Sequence, residues 1–148
     1  MDLFDGVFHH VGVAVRELSA ATEQLAALFG AQIDSEIVRD PVQGVLIQFV
    51  TVAGLRIELL APAADPCPLD PVLKRGVAIY HVAYEVPDLD AQLRRLSTTQ
   101  ARLVSHPKPA VAFGGRRVAF VVFQGMMFEL IEAGSNRESG DQTAAPRS

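Results

Sequence analysis

The chain of 148 residues carries 17 acidic against 13 basic side chains, a formal charge of −4, and a pI near 5.5. With no Lys/Arg block beyond Arg94-Arg95 and Arg116-Arg117, that balance excludes a surface that tracks nucleic-acid phosphates. A hydrophobic share of 49% supports one sizeable core, the apolar runs are strand-sized rather than membrane-spanning, and the single Cys67 excludes an internal disulfide.

The start Met1-Asp2-Leu3-Phe4-Asp5 lacks the basic and apolar regions of a signal peptide, so a soluble cytoplasmic protein with no membrane partner is expected. Residues 8–15 alternate and are rich in Val, which predicts a strand; residues 17–29 then carry Leu18, Ala21, Leu25 and Leu28 at helical spacing, closed by Gly30. Residues 33–38 and 45–52 are β-branched runs parted by Asp40-Pro41 and Gly44, and Ala53-Gly54 turns the chain into a further strand over 55–60. The order is βαβββ. A proline-rich connector, 62–78, holds a short helix opened at Asp70-Pro71 and ended at Gly76. The pattern then repeats: a strand at 79–86, a helix at 89–96 opened by Pro87-Asp88, a short strand at 102–104, a loop Ser105-His106-Pro107-Lys108-Pro109, and strands at 117–123 and 126–131. Residues 1–133 read as one domain with halves at about 8–61 and 79–132. From 134 to 148 there is almost nothing to bury, and a disordered tail is expected.

The repeat extends to individual residues. His10 recurs as His81 and Glu58 as Glu129, both at an offset of 71, and Leu18, Ala20 and Leu25 recur as Leu89, Ala91 and Leu96. Period-2 alternation puts Val11, Val13 and Val15 under the first helix and leaves His10, Gly12 and Ala14 opposite; His81, Ala83 and Glu85 take that side in the second half. Glu58 and Glu129 also face away from the helices, as do Arg56, Leu60, Met127 and Ile131. The fold class is therefore α+β, two tandem βαβββ modules forming a curved eight-stranded mixed sheet around a metal cleft floored by Gly12 and Ala14. Two imidazoles and two carboxylates suit a divalent transition ion, cobalt, nickel, zinc, manganese or iron, and leave positions for water or substrate. The alternative, buried histidines and glutamates with no ion, carries a cost of several kcal/mol for each uncompensated charge. Beside this set, alternation turns His9 to the opposite face as a packing residue, leaves His106 in a solvated loop, and makes Met127 cleft wall. Arg56 at the rim, and Lys108, Arg116 and Arg117 around Val111-Ala112-Phe113-Gly114-Gly115, are candidates to hold an anionic substrate group.

The stretches His10-Val11-Gly12-Val13-Ala14-Val15, Ile57-Glu58-Leu59-Leu60-Ala61-Pro62, Tyr80-His81-Val82-Ala83-Tyr84-Glu85-Val86, Gly114-Gly115-Arg116-Arg117 and Phe128-Glu129-Leu130-Ile131-Glu132 resemble the vicinal oxygen chelate superfamily, and within it the methylmalonyl-CoA epimerase branch. The resemblance covers about 8–133 and implies paired βαβββ modules, a homodimer, and metal ligands at His10, Glu58, His81 and Glu129. It further implies removal and return of a proton beside a carbonyl through a metal-stabilised enolate on a small carbonyl or acyl-CoA substrate, with Glu129 as catalytic ligand and proton shuttle and Glu58 as the alternative; Arg56, Gln48, Lys108, Arg116 and Met127 are the candidate substrate contacts. Where some bacterial epimerases carry a further catalytic glutamate after Gln-Gly-Val, this chain reads Gln43-Gly44-Val45-Leu46-Ile47-Gln48, and Gln48 cannot act as a base. The alternatives are a glyoxalase-I-like lyase acting on a hemithioacetal, a non-catalytic small-molecule binding or resistance module, and, more remotely, a ring-cleaving dioxygenase.

Overall fold

A computed structural model describes residues 4–134. The tail expected to be disordered lies, apart from Gly134, outside the described residues. Strands β1 (Val7–Ala14), β2 (Gln32–Ile33), β3 (Val38–Asp40), β4 (Val45–Val52), β5 (Leu55–Pro62), β6 (Ile79–Val86), β7 (Arg102–Pro109), β8 (Arg117–Phe123) and β9 (Met126–Glu132) alternate with helices α1 (Leu18–Phe29), α2 (Asp70–Arg75) and α3 (Leu89–Leu96). They form one mixed sheet of order β2-β4-β5-β1-β6-β9-β8-β7, with β3 added beside β4. The count is nine rather than eight because the run expected at 33–38 is broken, leaving β2 and β3 as separate short pairings with β4.

Local chemistry sets the helix ends. Glu17 accepts from the Ala20 N–H at 3.2 Å to open α1, and Gly30, at φ 62°, turns back so that its N–H reaches Ala26 and Leu25 carbonyls. Asp88 caps α3 in the same way, accepting from Ala91 N–H at 2.9 Å, and Arg94 and Arg95 complement its carboxyl end. Arg117 ties α3 to the sheet by bridging Asp90 at 2.9 Å and Glu132 at 2.8 Å.

The two modules meet at an antiparallel seam between β1 and β6. Each seam strand has a parallel partner outside it, β5 beside β1 and β9 beside β6, and the registers are copies: Gly12 opposes Glu58 as Ala83 opposes Glu129. The helix face of the sheet is closed by Leu18, Val50, Leu59 and Ala61 under α1 and by Val86, Leu89, Ala119, Val121 and Leu130 under α3. Burying each such leucine contributes about 2 kcal/mol. The connector folds over the other face, setting Cys67 and Leu69 against Ala14, Ile47 and Leu60. Ala14 is thus covered by the connector and is no part of a ligand floor. The segment expected as a loop around His106 is the second half of β7, paired with β8 through Lys108 and Val118, and it leaves His106 exposed.

Candidate metal centre

His10 and His81 sit on the two seam strands and Glu58 and Glu129 on the strands flanking them, so one ring of four side chains forms on the face opposite the helices. All four are buried, with exposures of 0%, 2%, 2% and 2% for His10, His81, Glu58 and Glu129. The imidazole Nε2 atoms lie 3.0 Å apart. His10 Nε2 is 3.7 Å from Glu58 Oε1 and 3.6 Å from Glu129 Oε2, while His81 Nε2 is 3.6 Å and 2.8 Å from the same two oxygens. Bonds of about 2.0–2.2 Å to one ion place its ligand atoms roughly 2.8–3.6 Å apart, depending on angle. The five His–His and His–Glu separations run from 2.8 to 3.7 Å, close to that spacing, all four ligand atoms lie within 4.8 Å of one another, and the chemistry of two imidazoles and two carboxylates fits a divalent ion.

Two backbone devices make the ring possible. A Cβ on Gly12 would lie 2.3–2.6 Å from His81 ring atoms, so the missing side chain provides the space that the His81 ring fills; it makes no floor for substrate. The seam also contains two register shifts, between Phe8 and His10 and between Gly12 and Val13. Each inserts one residue, His9 in β1 and Tyr80 in β6, and a bulge breaks the strict alternation of faces.

Burial, reinforced by the negative charges of Glu129 and Asp40, pushes the Glu58 carboxyl well above the carboxylate range. Glu129 is buried too, but hydrogen bonds from His10 and His81 outweigh that and hold it below the usual range. Burial likewise lowers His10. Without an ion, the ring drives its two carboxyls in opposite directions, Glu58 up and Glu129 down. Because the folded state binds the Glu58 proton more tightly than the unfolded chain, its contribution to stability is full below the unfolded value of 4.5 and is lost as pH rises through the folded value. Chelator-stripped Glu58→Gln protein is expected to gain on the wild type in thermal unfolding as pH rises above 4.5. Parallel pH profiles for the two proteins would refute the assignment.

Aromatic rings seal the ring of ligands. Phe113 stacks on His10 at 5.8 Å and 21°, Phe49 meets His10 edge-on at 5.5 Å, and Phe120 meets His81 at 5.6 Å. Excluding water in this way strengthens every charge interaction inside. Beyond the rings lie two pockets. One, of about 300 Å³, is lined by His9, Asp34, Ser35, Phe49, Arg56 and neighbours including Phe113 and Arg116. The other, of about 240 Å³, is lined on the opposite flank by residues that include Tyr80, Lys108, Phe120 and Met127.

The candidate substrate contacts thus divide. Arg56 reaches the first pocket, and Lys108 and Met127 the second. Gln48 is corrected: it opposes Leu59 on the helix face, accepts from Thr22 Oγ1 at 2.9 Å and donates to the Ser35 carbonyl at 3.2 Å. Arg116 lines the first pocket but spends its guanidinium on Glu85 at 3.0 Å and on the Phe113 and Glu132 carbonyls, which fixes the 3₁₀ turn Val111–Phe113 over His10. His9, expected on the far face, stands instead beside His10, with its Nδ1 2.8 Å from His10 Nδ1.

Comparison with known proteins agrees with this architecture. The family model for the glyoxalase/bleomycin resistance protein/dioxygenase superfamily matches residues 9–120. The ethylmalonyl-CoA/methylmalonyl-CoA epimerase of Cereibacter sphaeroides is 33% identical over 130 residues, covering 84% of this chain and 96% of that protein. The mitochondrial methylmalonyl-CoA epimerase of Dictyostelium discoideum is 30% identical over 129 residues, 86% of this chain and 76% of the relative. The crystal structure of methylmalonyl-CoA epimerase from Mycobacterium tuberculosis superposes with a TM-score of 0.75 at 28% identity, covering 89% of this chain and 90% of that one. No helix among the described residues is long and apolar enough to cross a membrane.

Proposed function

The chain belongs to the glyoxalase/bleomycin resistance protein/dioxygenase superfamily, and we propose that it is a metal-dependent epimerase that moves the proton α to the carbonyl of a small acyl-CoA thioester of the methylmalonyl or ethylmalonyl type. The observation that carries this reading is the buried ring of two histidines and two glutamates, in which the two carboxylates enter from opposite flanks. The order β5-β1-β6-β9 brings Glu58 to one side of the seam and Glu129 to the other. An epimerase must take a proton from one face of the α-carbon and return one to the other, which needs two groups placed this way. His10, His81, Glu58 and Glu129 would hold the divalent ion, which supplies a Lewis acid for the negative charge developing on the substrate carbonyl oxygen. Glu129, on the β9 flank, takes the α-proton, and Glu58, on the β5 flank, returns a proton to the opposite face. Phe49, Phe113 and Phe120 keep bulk water from quenching the carbanion. Arg56 supplies the cation for a substrate carboxylate and Lys108 a second for the phosphates of the CoA arm. A homodimer is part of the same reading and is checked by sedimentation.

In heavy water, protein loaded with Co²⁺ or Zn²⁺ is expected to wash deuterium into the α-position of methylmalonyl-CoA, followed by NMR or mass spectrometry. Loaded protein that exchanges no acyl-CoA yet converts methylglyoxal and glutathione would assign the lyase in its place. Inactivity in both assays would leave a binding module.

A further inference from the structure

We propose that His9 is the positioning residue for His10, and that loading the centre with its ion moves the His9 proton from Nδ1 to Nε2, so that His9 and Arg56 together present N–H donors to a substrate carboxylate in the outer pocket. The proposal rests on the metal reading above and adds a residue and a coupling to it.

The geometry leaves little freedom. His9 Nδ1 lies 2.8 Å from His10 Nδ1, and its Nε2 lies 3.2 Å from Arg56 Nη1. Its ring is held edge-on by Phe113 at 5.5 Å and Phe49 at 6.5 Å. A neutral imidazole has one N–H and one lone pair, and a guanidinium only donates. Because Arg56 can only donate, the His9 Nε2 that faces it is a bare lone pair and the ring is neutral.

Two proton arrangements follow. In the first, Arg56 donates to the lone pair on His9 Nε2, His9 Nδ1–H donates to His10 Nδ1, and the His10 proton therefore sits on Nε2, inside the ring of ligands. Every contact is satisfied, but His10 has no lone pair for a cation. In the second, His10 Nε2 is bare and ready to ligate, its proton is on Nδ1 and is donated to His9 Nδ1, and the His9 proton has moved to Nε2. The two states carry the same number of protons on the pair: one leaves through His10 Nε2, one passes between the Nδ1 atoms, and one enters at His9 Nε2 from the pocket. In the second state, His9 Nε2–H and Arg56 face each other as two donors without an acceptor, and a carboxylate between them satisfies both. The neighbouring acids are already engaged, Asp34 by the Thr51 hydroxyl and Glu85 by Arg116.

The second module provides an internal contrast. The position equivalent to His9 is Tyr80, also beside a register shift, yet His81 Nδ1 is buried with no hydrogen-bond partner among the described residues. Among the described residues, His10 has an outer partner that fixes its orientation and His81 has none at Nδ1, so the coupling runs through the first module.

The test titrates chelator-stripped wild type, His9→Phe and His9→Asn with Zn²⁺, and follows the ¹⁵N shifts of His9 on loading. Asn Oδ1 falls near the position of His Nδ1 and restores the acceptor for His10 without restoring Nε2. Phe is expected to weaken Zn²⁺ binding by about 10- to 100-fold, the usual effect of losing an outer partner of a ligating histidine, while Asn keeps wild-type affinity. Loaded wild type is expected to bind malonate, and both variants are expected to lose that binding. Wild-type Zn²⁺ affinity in His9→Phe, or an unchanged His9 tautomer on loading, would overturn the proposal; should that variant fail to fold, the wild-type tautomer decides alone. Wild type that binds no Zn²⁺ would instead overturn the metal reading, and this inference with it.

Discussion

Replacing Glu129 by Gln is expected to abolish deuterium wash-in. Glutamine has the same shape but cannot take a proton from carbon, and loss of a positioned base alone lowers rates by about 10²–10⁴-fold. It also alters the ring, because Glu129 Oε2 accepts from His81 Nε2 at 2.8 Å and balances the charge of a bound cation. Metal content must therefore be quantified beside the exchange rate. A loss of exchange with the ion still bound assigns Glu129 to proton transfer, whereas loss of both in proportion leaves it as a ligand only. Exchange at the wild-type rate with full metal content would remove Glu129 from the mechanism and turn attention to Glu58.

Gly12→Ala is expected to separate folding from ion binding. The added methyl would meet the His81 ring at 2.3–2.6 Å, a distance no packing tolerates. The atoms it meets are the far end of a side chain rather than backbone, so the clash is relieved by rotating His81, at about 1 kcal/mol for an off-rotamer side chain. That rotation carries Nε2 out of the ring, 3.0 Å from His10 Nε2 before the change. The variant should keep its secondary structure and melt cooperatively, while Zn²⁺ affinity falls on the order of 100-fold or more. Near wild-type affinity would show that the ligand ring has more room than the structure gives it.

Much of this was legible from alternation and repetition. Strands β1, β4, β6, β8 and helix α3 fall close to where the residue pattern places them, and the shared offset of His10, His81, Glu58 and Glu129 predicts one face because the registers of β1 with β5 and β6 with β9 are copies. The misses have specific causes. Period-2 counting turns His9 away because it assumes an unbroken ladder, and the inserted residue between Phe8 and His10 breaks it; no local signal in the sequence marks that break. Gln48 is a candidate through resemblance rather than pattern; Phe49 opposes Glu58 in the sheet, so its neighbour Gln48 turns to the α1 face. The prolines of β7 read as a loop, yet Pro107 and Pro109 sit at the sheet edge, where strands tolerate a missing N–H donor. Alternation alone leaves Ala14 open, because the connector's return over Ile47 and Leu60 is a tertiary event that no short window reports.

The seam between β1 and β6 has a consequence for assembly. Either half of the chain, taken alone, owns one imidazole and one carboxylate of the set and so is a poor chelator; only when the halves zip together does a tetradentate cage exist. A cation that prefers the cage must then act as a clasp, drawing the halves together by its full preference for the joined form. Cutting the polypeptide in its connector and mixing the pieces should accordingly yield fragment complementation that strengthens with zinc concentration and is undone by a chelator.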